Sequence, residues 1–164
     1  MIILNMIMVL ICMGLLYTLR MMRDIFRPIE LIMYYMVIVI AIEQIHSAFL
    51  DNFSLLEFSE TFSAYFFYKM NQLIVFPIAT MWLLFSFFHS RTRFILKMLF
   101  LGLWFSGLVG SYLLFPQLGI LKELRLTFGD SLVVWYVVLV ESFCFSLLFR
   151  KMLGKRDKRD IVPS

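Results

Sequence analysis

Charged residues are scarce in this chain. Only 16% of its 164 residues are Asp, Glu, Lys or Arg and 62% are hydrophobic, whereas ordinary soluble domains are about 25% charged and about 45 to 50% apolar. This balance excludes an ordinary soluble domain and indicates an integral membrane protein. With 19 phenylalanines and 12 methionines, the apolar surface is large and soft, and it suits contact with lipid better than catalysis.

Cysteine is equally scarce, and the motifs of common enzymes are missing. The two cysteines, Cys12 and Cys144, lie in apolar runs rather than in loops, so a disulfide framework is not expected. The sequence has no Gly-rich phosphate loop, nucleophile elbow, His/Cys metal cluster or nucleic-acid-binding motif. We therefore expect a protein without enzyme activity, cofactor, bound metal or nucleic-acid partner.

Long apolar runs dominate instead. A transmembrane helix needs about 20 predominantly apolar residues, and five windows of the sequence meet this requirement. They are residues 2–19, 29–50, 70–88, 95–115 and 131–149. The sequence thus predicts an all-α fold, a polytopic membrane bundle of five transmembrane helices. Residues 1–164 form a single transmembrane domain, of which residues 150–164 are a basic tail.

The Lys and Arg residues are distributed unevenly between the two sides of these spans. Most of the 15 lie after the first span, between the third and fourth spans, and after the fifth. Cytoplasmic loops carry the excess of positive charge, so we expect the N-terminus outside and the C-terminus in the cytoplasm. The first span lacks a positive leading segment and a small-residue cleavage site, so we expect it to be retained.

The two longer segments on the predicted outer side mix apolar and charged residues. They read DNFSLLEFSETFSA and PQLGILKELRLTFGD. Aromatic and aliphatic residues interleaved with charges favour a short amphipathic helix that lies in the membrane interface. We expect one such helix in each segment.

Polar residues interrupt the second span near its outer end. Spacings of three and four residues place Glu43, His46 and Ser47 on one helix face. A charged group inside the bilayer costs at least about 2.5 to 3.5 kcal/mol. Glu43 is therefore expected to be neutral, paired or in contact with water.

The third span brings further polar residues to the same side. Asn71 and Gln72 follow Lys69 at its outer end, and Pro77 leaves the carbonyl of Leu73 without its helical donor, which favours a kink. The predicted polar pocket between these spans consists of Glu43, His46, Asn71 and Gln72, with Lys69 at its mouth. Two interpretations remain open for this pocket: hydrogen bonds that join helices at about 1 kcal/mol each, or a ligand or proton site.

Glu141 is the acid nearest the middle of a predicted span, within about 2 Å of the centre of the fifth. It joins the candidate polar pocket because it differs from Glu43 by only about 7 Å in depth, which is within reach of a proton relay. A metal site that also used His46 and Cys144 is not expected. These two residues differ in depth by roughly 16 Å, whereas zinc ligands lie about 2.0 to 2.3 Å from the ion.

Small residues recur along the fourth span. Gly102, Ser106 and Gly110 are four residues apart and therefore share one helix face. Small side chains at this spacing allow two helix backbones to approach closely. We expect this stripe to pack against another helix, either within the bundle or in an oligomer.

The predicted layout of the chain has three features. They are an outside N-terminus, an acidic aromatic loop written SLLEFSET, and a third helix with Asn71, Pro77 and Thr80. In this layout the chain resembles a group of small five-helix integral membrane proteins of spore-forming bacteria. That group has no assigned activity. The resemblance therefore implies a five-helix membrane fold and transfers no functional residues.

Two functions follow as hypotheses. The first is a non-enzymatic multi-pass protein that serves as an assembly or accessory component, whose partners are the lipid bilayer and either further copies of itself or a larger membrane complex. The alternative is a small proton- or cation-coupled transporter or channel that uses Glu43, His46 and Glu141. A membrane enzyme ranks third, and a bound metal or a lipid substrate would distinguish it.

Overall fold

The structure, a computed structural model, describes residues 2–47, 56–59, 61–89, 92–124 and 127–159. Helices account for almost all of this part of the chain. In chain order the elements are α1 (Ile2–Thr18), a 3-10 helix (Leu19–Asp24), α2 (Pro28–Ile45), β1 (Leu56–Phe58), α3 (Phe62–Met70), a π-helical turn (Asn71–Val75), α4 (Phe76–Phe88), α5 (Phe94–Gln117), β2 (Leu121–Leu124) and α6 (Phe128–Arg159).

Five helical segments are long and apolar enough to cross a membrane, which confirms the predicted number of spans. They are Ile2–Asp24, Pro28–Ile45, Phe62–Phe88, Phe94–Gln117 and Phe128–Leu153. The third segment begins at Phe62 rather than at residue 70, because the aromatic residues before Lys69 are already helical. Residues 48–50 of the predicted second span lie outside the described residues.

Two helix ends follow directly from local sequence. α2 begins with Pro28, whose fixed φ suits the first helical position, and the Arg27 amide donates to Glu30 Oε2 at 2.7 Å. α5 ends at Gln117, and Gly119, two residues later, has a φ of 69°, a conformation that favours glycine. The amides of Gly119 and Ile120 donate to the carbonyls of Pro116 and Phe115, so the final turn is closed by a Schellman motif.

The third span contains an irregular turn next to its proline. Residues Asn71–Val75 form the π-helical turn between α3 and α4, and Pro77 lies in the first turn of α4. Pro77 has no amide hydrogen for the carbonyl of Leu73. The hydroxyl of Tyr35, on α2, donates to this carbonyl at 2.7 Å, so a neighbouring helix supplies the missing donor.

The core lies where α2, α4, α5 and α6 meet, and it is largely aromatic. Its largest fully buried side chains include Trp135, Tyr34, Tyr112 and Phe76. α1 lies at the periphery and buries only Met8 and Cys12. Hydrogen bonds near the two ends of α1 join it to the third span: Asn5 Nδ2 donates to Ser63 Oγ at 2.7 Å, and Trp82 Nε1 donates to Thr18 Oγ1 at 2.9 Å.

The expected interfacial helices are wrong at Leu56–Phe58 and Leu121–Leu124. Leu56–Phe58 and Leu121–Leu124 are strands that pair antiparallel, with Glu57 opposite Glu123 and a register irregularity before Phe58. This short ladder is also a departure from a purely α-helical fold. Strand pairing gives the backbone groups along the facing edges of both segments hydrogen-bond partners. Residues 51–55 and 60 of the first segment, and residues 125 and 126 of the second, lie outside the described residues.

The final helix is longer than the predicted span. α6 continues to Arg159, so residues 150–159 of the predicted basic tail extend the helix rather than form a separate segment. Residues 160–164 lie outside the described part of the chain. The bundle has a Glu43 end, where α2 finishes, and an Arg150 end, where α2 begins.

Candidate functional site

An ion pair links the second and third spans at the Glu43 end. Lys69 Nζ lies 3.2 Å from Glu43 Oε1 and 3.3 Å from Oε2. The Glu43 side chain is 39% exposed and that of Lys69 29% exposed. The pair therefore occupies a half-buried position, where lysine neutralises the acid that interrupts this span.

His46 is buried one turn further along α2, and both its ring nitrogens have partners. Nδ1 lies 2.7 Å from the carbonyl of Ile42, which can only accept, so Nδ1 carries the proton. A charged ring buried without a carboxylate partner is disfavoured, so Nε2 is unprotonated and accepts from the hydroxyl of Tyr112 on α5. His46 thus joins α2 to α5 as a neutral imidazole.

Aromatic rings surround this imidazole. The ring centroid of His46 lies 6.0 Å from those of Tyr68 and Tyr112 and 6.3 Å from that of Trp135. Trp135 in turn packs edge-on against Phe76 at 5.1 Å. We call His46, Tyr68, Tyr112 and Trp135 the aromatic cluster; it brings together residues from α2, α3, α5 and α6.

Asn71 and Gln72 are also buried. Asn71 Nδ2 donates to the carbonyl of Phe67 at 2.9 Å, one turn back in its own helix. Gln72 Oε1 and Trp135 Nε1 are buried without a hydrogen-bond partner among the described residues. Gln72 lies one helical turn before Phe76, the ring against which Trp135 packs. The aromatic cluster therefore contains a buried donor without a partner, Trp135 Nε1, and Gln72 carries a buried acceptor without a partner.

Glu141 lies apart from these residues. It occupies the middle of the Phe128–Leu153 segment, and its side chain is exposed on the surface of the bundle. Within the described part of the chain it makes no hydrogen bond or ion pair. The structure therefore brings Glu43 together with Lys69, and His46 with Tyr112, but it does not join Glu141 to either pair.

The small-residue stripe of α5 faces outward. Gly102 and Ser106 are exposed and Gly110 is partly buried. A Cβ placed on Gly102 or Gly110 would meet nothing within 4 Å. The stripe is therefore not a close helix–helix contact within the bundle, whose α5 core face carries Trp104, Leu108 and Tyr112. Contact with another chain remains a prediction.

Sequence reasoning missed a buried ion pair at the Arg150 end. Glu30 Oε1 accepts from Arg150 Nε at 3.0 Å and from the Tyr34 hydroxyl at 3.2 Å. The guanidinium of Arg150 also stacks 4.4 Å from the Phe88 ring centroid and donates to the carbonyl of Ile25. The available signal was Glu30 itself, an acid at the start of an apolar span beside Pro28.

Comparisons with known proteins identify no relative. The chain matches no family model, no curated protein and no solved structure. Among the described residues, no three His, Cys, Asp or Glu side chains are grouped so that they could hold a metal ion.

Proposed function

We propose that this protein is a non-enzymatic component of a membrane assembly, held in a bacterial-type plasma membrane with its N-terminus outside. The observation that carries the proposal is Glu141. A carboxylate near the middle of a span costs at least about 2.5 to 3.5 kcal/mol when it faces lipid, and this one is exposed. A second chain that covers Glu141 and donates to it removes this penalty.

Two other acids, Glu30 and Glu43 of the second span, support this interpretation by contrast. Glu30 is paired with Arg150, and Glu43 with Lys69. The bundle therefore supplies a basic partner for each of these two acids. Glu141 has none in the described residues, and the partner is expected from outside the chain.

The outward stripe of α5 is a second feature that suits an assembly. Gly102 and Ser106 expose a surface without large side chains, and such surfaces allow close approach of a second helix backbone. Within the bundle this face is not used. Its use by a second copy or by another membrane protein is consistent with the proposal.

The test is a matched pair of leucine substitutions in the full chain. Ser106→Leu places a large side chain on the stripe, and Gly14→Leu is the control, because Gly14 is also exposed with nothing within 4 Å of an added Cβ. After gentle release from the membrane, Ser106→Leu is expected to reduce the complex, whereas Gly14→Leu retains it. Equal complex formation by both variants would contradict the proposal.

The second candidate function is a small proton- or cation-coupled transporter that uses Glu43, His46 and Glu141. The observation that favours it is the Glu43–Lys69 pair one turn from the buried His46–Tyr112 pair. This function predicts that Glu43→Gln abolishes a pH-dependent flux in reconstituted vesicles. Flux at the wild-type rate in that variant would remove Glu43 from the mechanism.

A further inference from the structure

A groove opens on the surface of the bundle at the Arg150 end. It has a volume of about 500 Å³ and lies between the end of α1, the 3-10 helix, α2 and Met81 of α4. Its wall is mostly apolar and includes Leu16, Ile32 and Met36, which are 44%, 60% and 51% exposed. An apolar surface this open is suited to a long, flexible, apolar ligand.

Two arginines lie at one end of this groove. Arg20 and Arg23 belong to the 3-10 helix, line the groove and are both exposed. Neither has a carboxylate partner among the described residues, and the neighbouring Asp24 pairs with neither. The Arg20 guanidinium lies 5.3 Å from the Tyr17 ring centroid, a contact that leaves its charge uncompensated.

Arg150 lies at the same end of the bundle, but its charge is compensated. Arg150 is neutralised by buried Glu30 and enclosed by aromatic rings. Arg20 and Arg23 instead present two positive charges beside an apolar wall. A ligand that complements both features carries a negative group at one end and an apolar chain at the other.

The positions of these residues along the helices match the layers of a bilayer. α1 contains 17 residues, which corresponds to about 25 Å at 1.5 Å per residue, so Arg20 and Arg23 follow a helix that nearly crosses the roughly 30 Å hydrocarbon layer. Tyr35 and Met36 lie about 10 to 12 Å along α2 from Pro28. The groove therefore runs from headgroup level into the hydrocarbon layer.

We propose that this groove binds an anionic phospholipid. The phosphate lies between Arg20 and Arg23, because guanidinium groups recognise phosphate by charge-assisted hydrogen bonds. An anionic headgroup is favoured over a zwitterionic one, because a headgroup cation would lie beside these two positive charges. The first part of one acyl chain lies along Ile32 and Met36. A free phosphate ion would use the arginines but leave the apolar wall uncovered, so the groove selects the intact lipid.

The experiment measures lipid binding by native mass spectrometry of the full chain in detergent. Phosphatidylglycerol and phosphatidylcholine with identical acyl chains are the probes. One phosphatidylglycerol molecule is expected to bind tightly. A basic residue near an anionic lipid is worth about five-fold in affinity, so Arg20→Gln with Arg23→Gln is expected to weaken this binding by about 25-fold.

Two further variants distinguish lipid binding in the groove from a general attraction of anionic lipid to basic residues. Arg93→Gln is the charge control, because Arg93 is exposed near the same end and its side chain does not line the groove. It is expected to leave the bound lipid unchanged. Ile32→Trp fills the apolar wall without altering charge, and it is expected to weaken lipid binding while both arginines remain.

Three results would overturn the proposal. The first is equal binding of the two lipids. The second is a loss in Arg93→Gln as large as in the double arginine variant, which would indicate a diffuse surface charge. The third is competition by glycerophosphate as strong as that by phosphatidylglycerol, together with normal binding by Ile32→Trp, which would indicate a phosphate site without a lipid chain.

Discussion

The neutral imidazole of His46 depends on a single hydroxyl from another span. Its Nδ1 donates within α2, and its Nε2 accepts from Tyr112 on α5. Polar atoms buried among aromatic rings lose contact with water, so an acceptor without a donor raises the energy of the folded state. The His46–Tyr112 hydrogen bond is therefore expected to contribute to the stability of the bundle.

Replacing Tyr112 with Phe tests this contribution. Loss of the hydroxyl leaves Nε2 of His46 without a donor, and we expect the free energy of unfolding in detergent to fall by about 1 to 3 kcal/mol. Tyr136→Phe is the control, because Tyr136 is 60% exposed on α6. Equal unfolding free energies for the two variants would contradict the role assigned to this hydrogen bond.

The Glu30–Arg150 pair gives a second prediction at the residue scale. Removal of one partner from a fully buried pair costs roughly 3 to 5 kcal/mol, but the Arg150 side chain is 30% exposed, so we expect about 2 to 3 kcal/mol for Arg150→Met. Combining it with Glu30→Gln removes the isolated charge and keeps a side-chain oxygen that can accept from the Arg27 amide. Most of the lost unfolding free energy should return in the double variant, and additive losses would show that the two residues act independently.

The site residues differ in how far local sequence could predict them. Glu43 interrupts an apolar run and Lys69 lies on the predicted same side, so their proximity follows from spans and depth alone. The Tyr112 partner of His46 is 66 residues away. The residues around Tyr112 do not indicate this contact, because the contact depends on how the helices pack.

At the scale of elements, the third span shows how one helix can supply a hydrogen-bond donor that another helix lacks. Pro77 removes a donor, the preceding turn is π-helical, and Tyr35 of α2 donates to the carbonyl of Leu73. In a membrane every backbone polar group needs an internal partner. The irregular turn is therefore stabilised by a contact between two spans.

A double-mutant cycle tests this compensation. Tyr35→Phe leaves the Leu73 carbonyl without its donor, so we expect the free energy of unfolding to fall by about 1 kcal/mol. In a Pro77→Ala background the new amide of residue 77 can donate instead, and the same Tyr35 substitution should then have almost no effect. An unchanged effect of Tyr35→Phe in both backgrounds would show that the hydroxyl is not compensating for proline.

Span prediction succeeded and loop prediction failed for the same physical reason. Apolar runs of about 20 residues are a local property, and each is sufficient to indicate a helix in a membrane. The strands β1 and β2 pair segments more than 60 residues apart, with Leu56 opposite Leu124. Neither short segment indicates its partner, so the interfacial helix was the better local interpretation and was nevertheless wrong.

At the scale of the whole molecule, substitutions on the outward surface are expected to weaken assembly without destabilising the isolated chain. Glu141 is exposed and contacts no described partner, so Glu141→Leu removes no contact within the chain and is not expected to lower its free energy of unfolding in detergent. The same substitution should weaken the complex, because a partner's donor loses its acceptor. Val137→Leu, at a position 40% exposed on the same helix, is the control and should retain the complex.

A retained complex in Glu141→Leu would contradict this account. A large loss of stability in the isolated chain would also contradict it, because that result would place the Glu141 partner inside the bundle. Unfolding in detergent and complex formation in the membrane extract should therefore be measured on the same preparations.

The most direct test of the central claim is native mass spectrometry of the wild-type protein released gently from its own membrane. The account predicts a stoichiometric complex, either with a second membrane protein or with further copies of this chain, that dissociates in Ser106→Leu and Glu141→Leu. A wild-type chain released only as a monomer would contradict it, because exposed Glu141 would then face lipid alone.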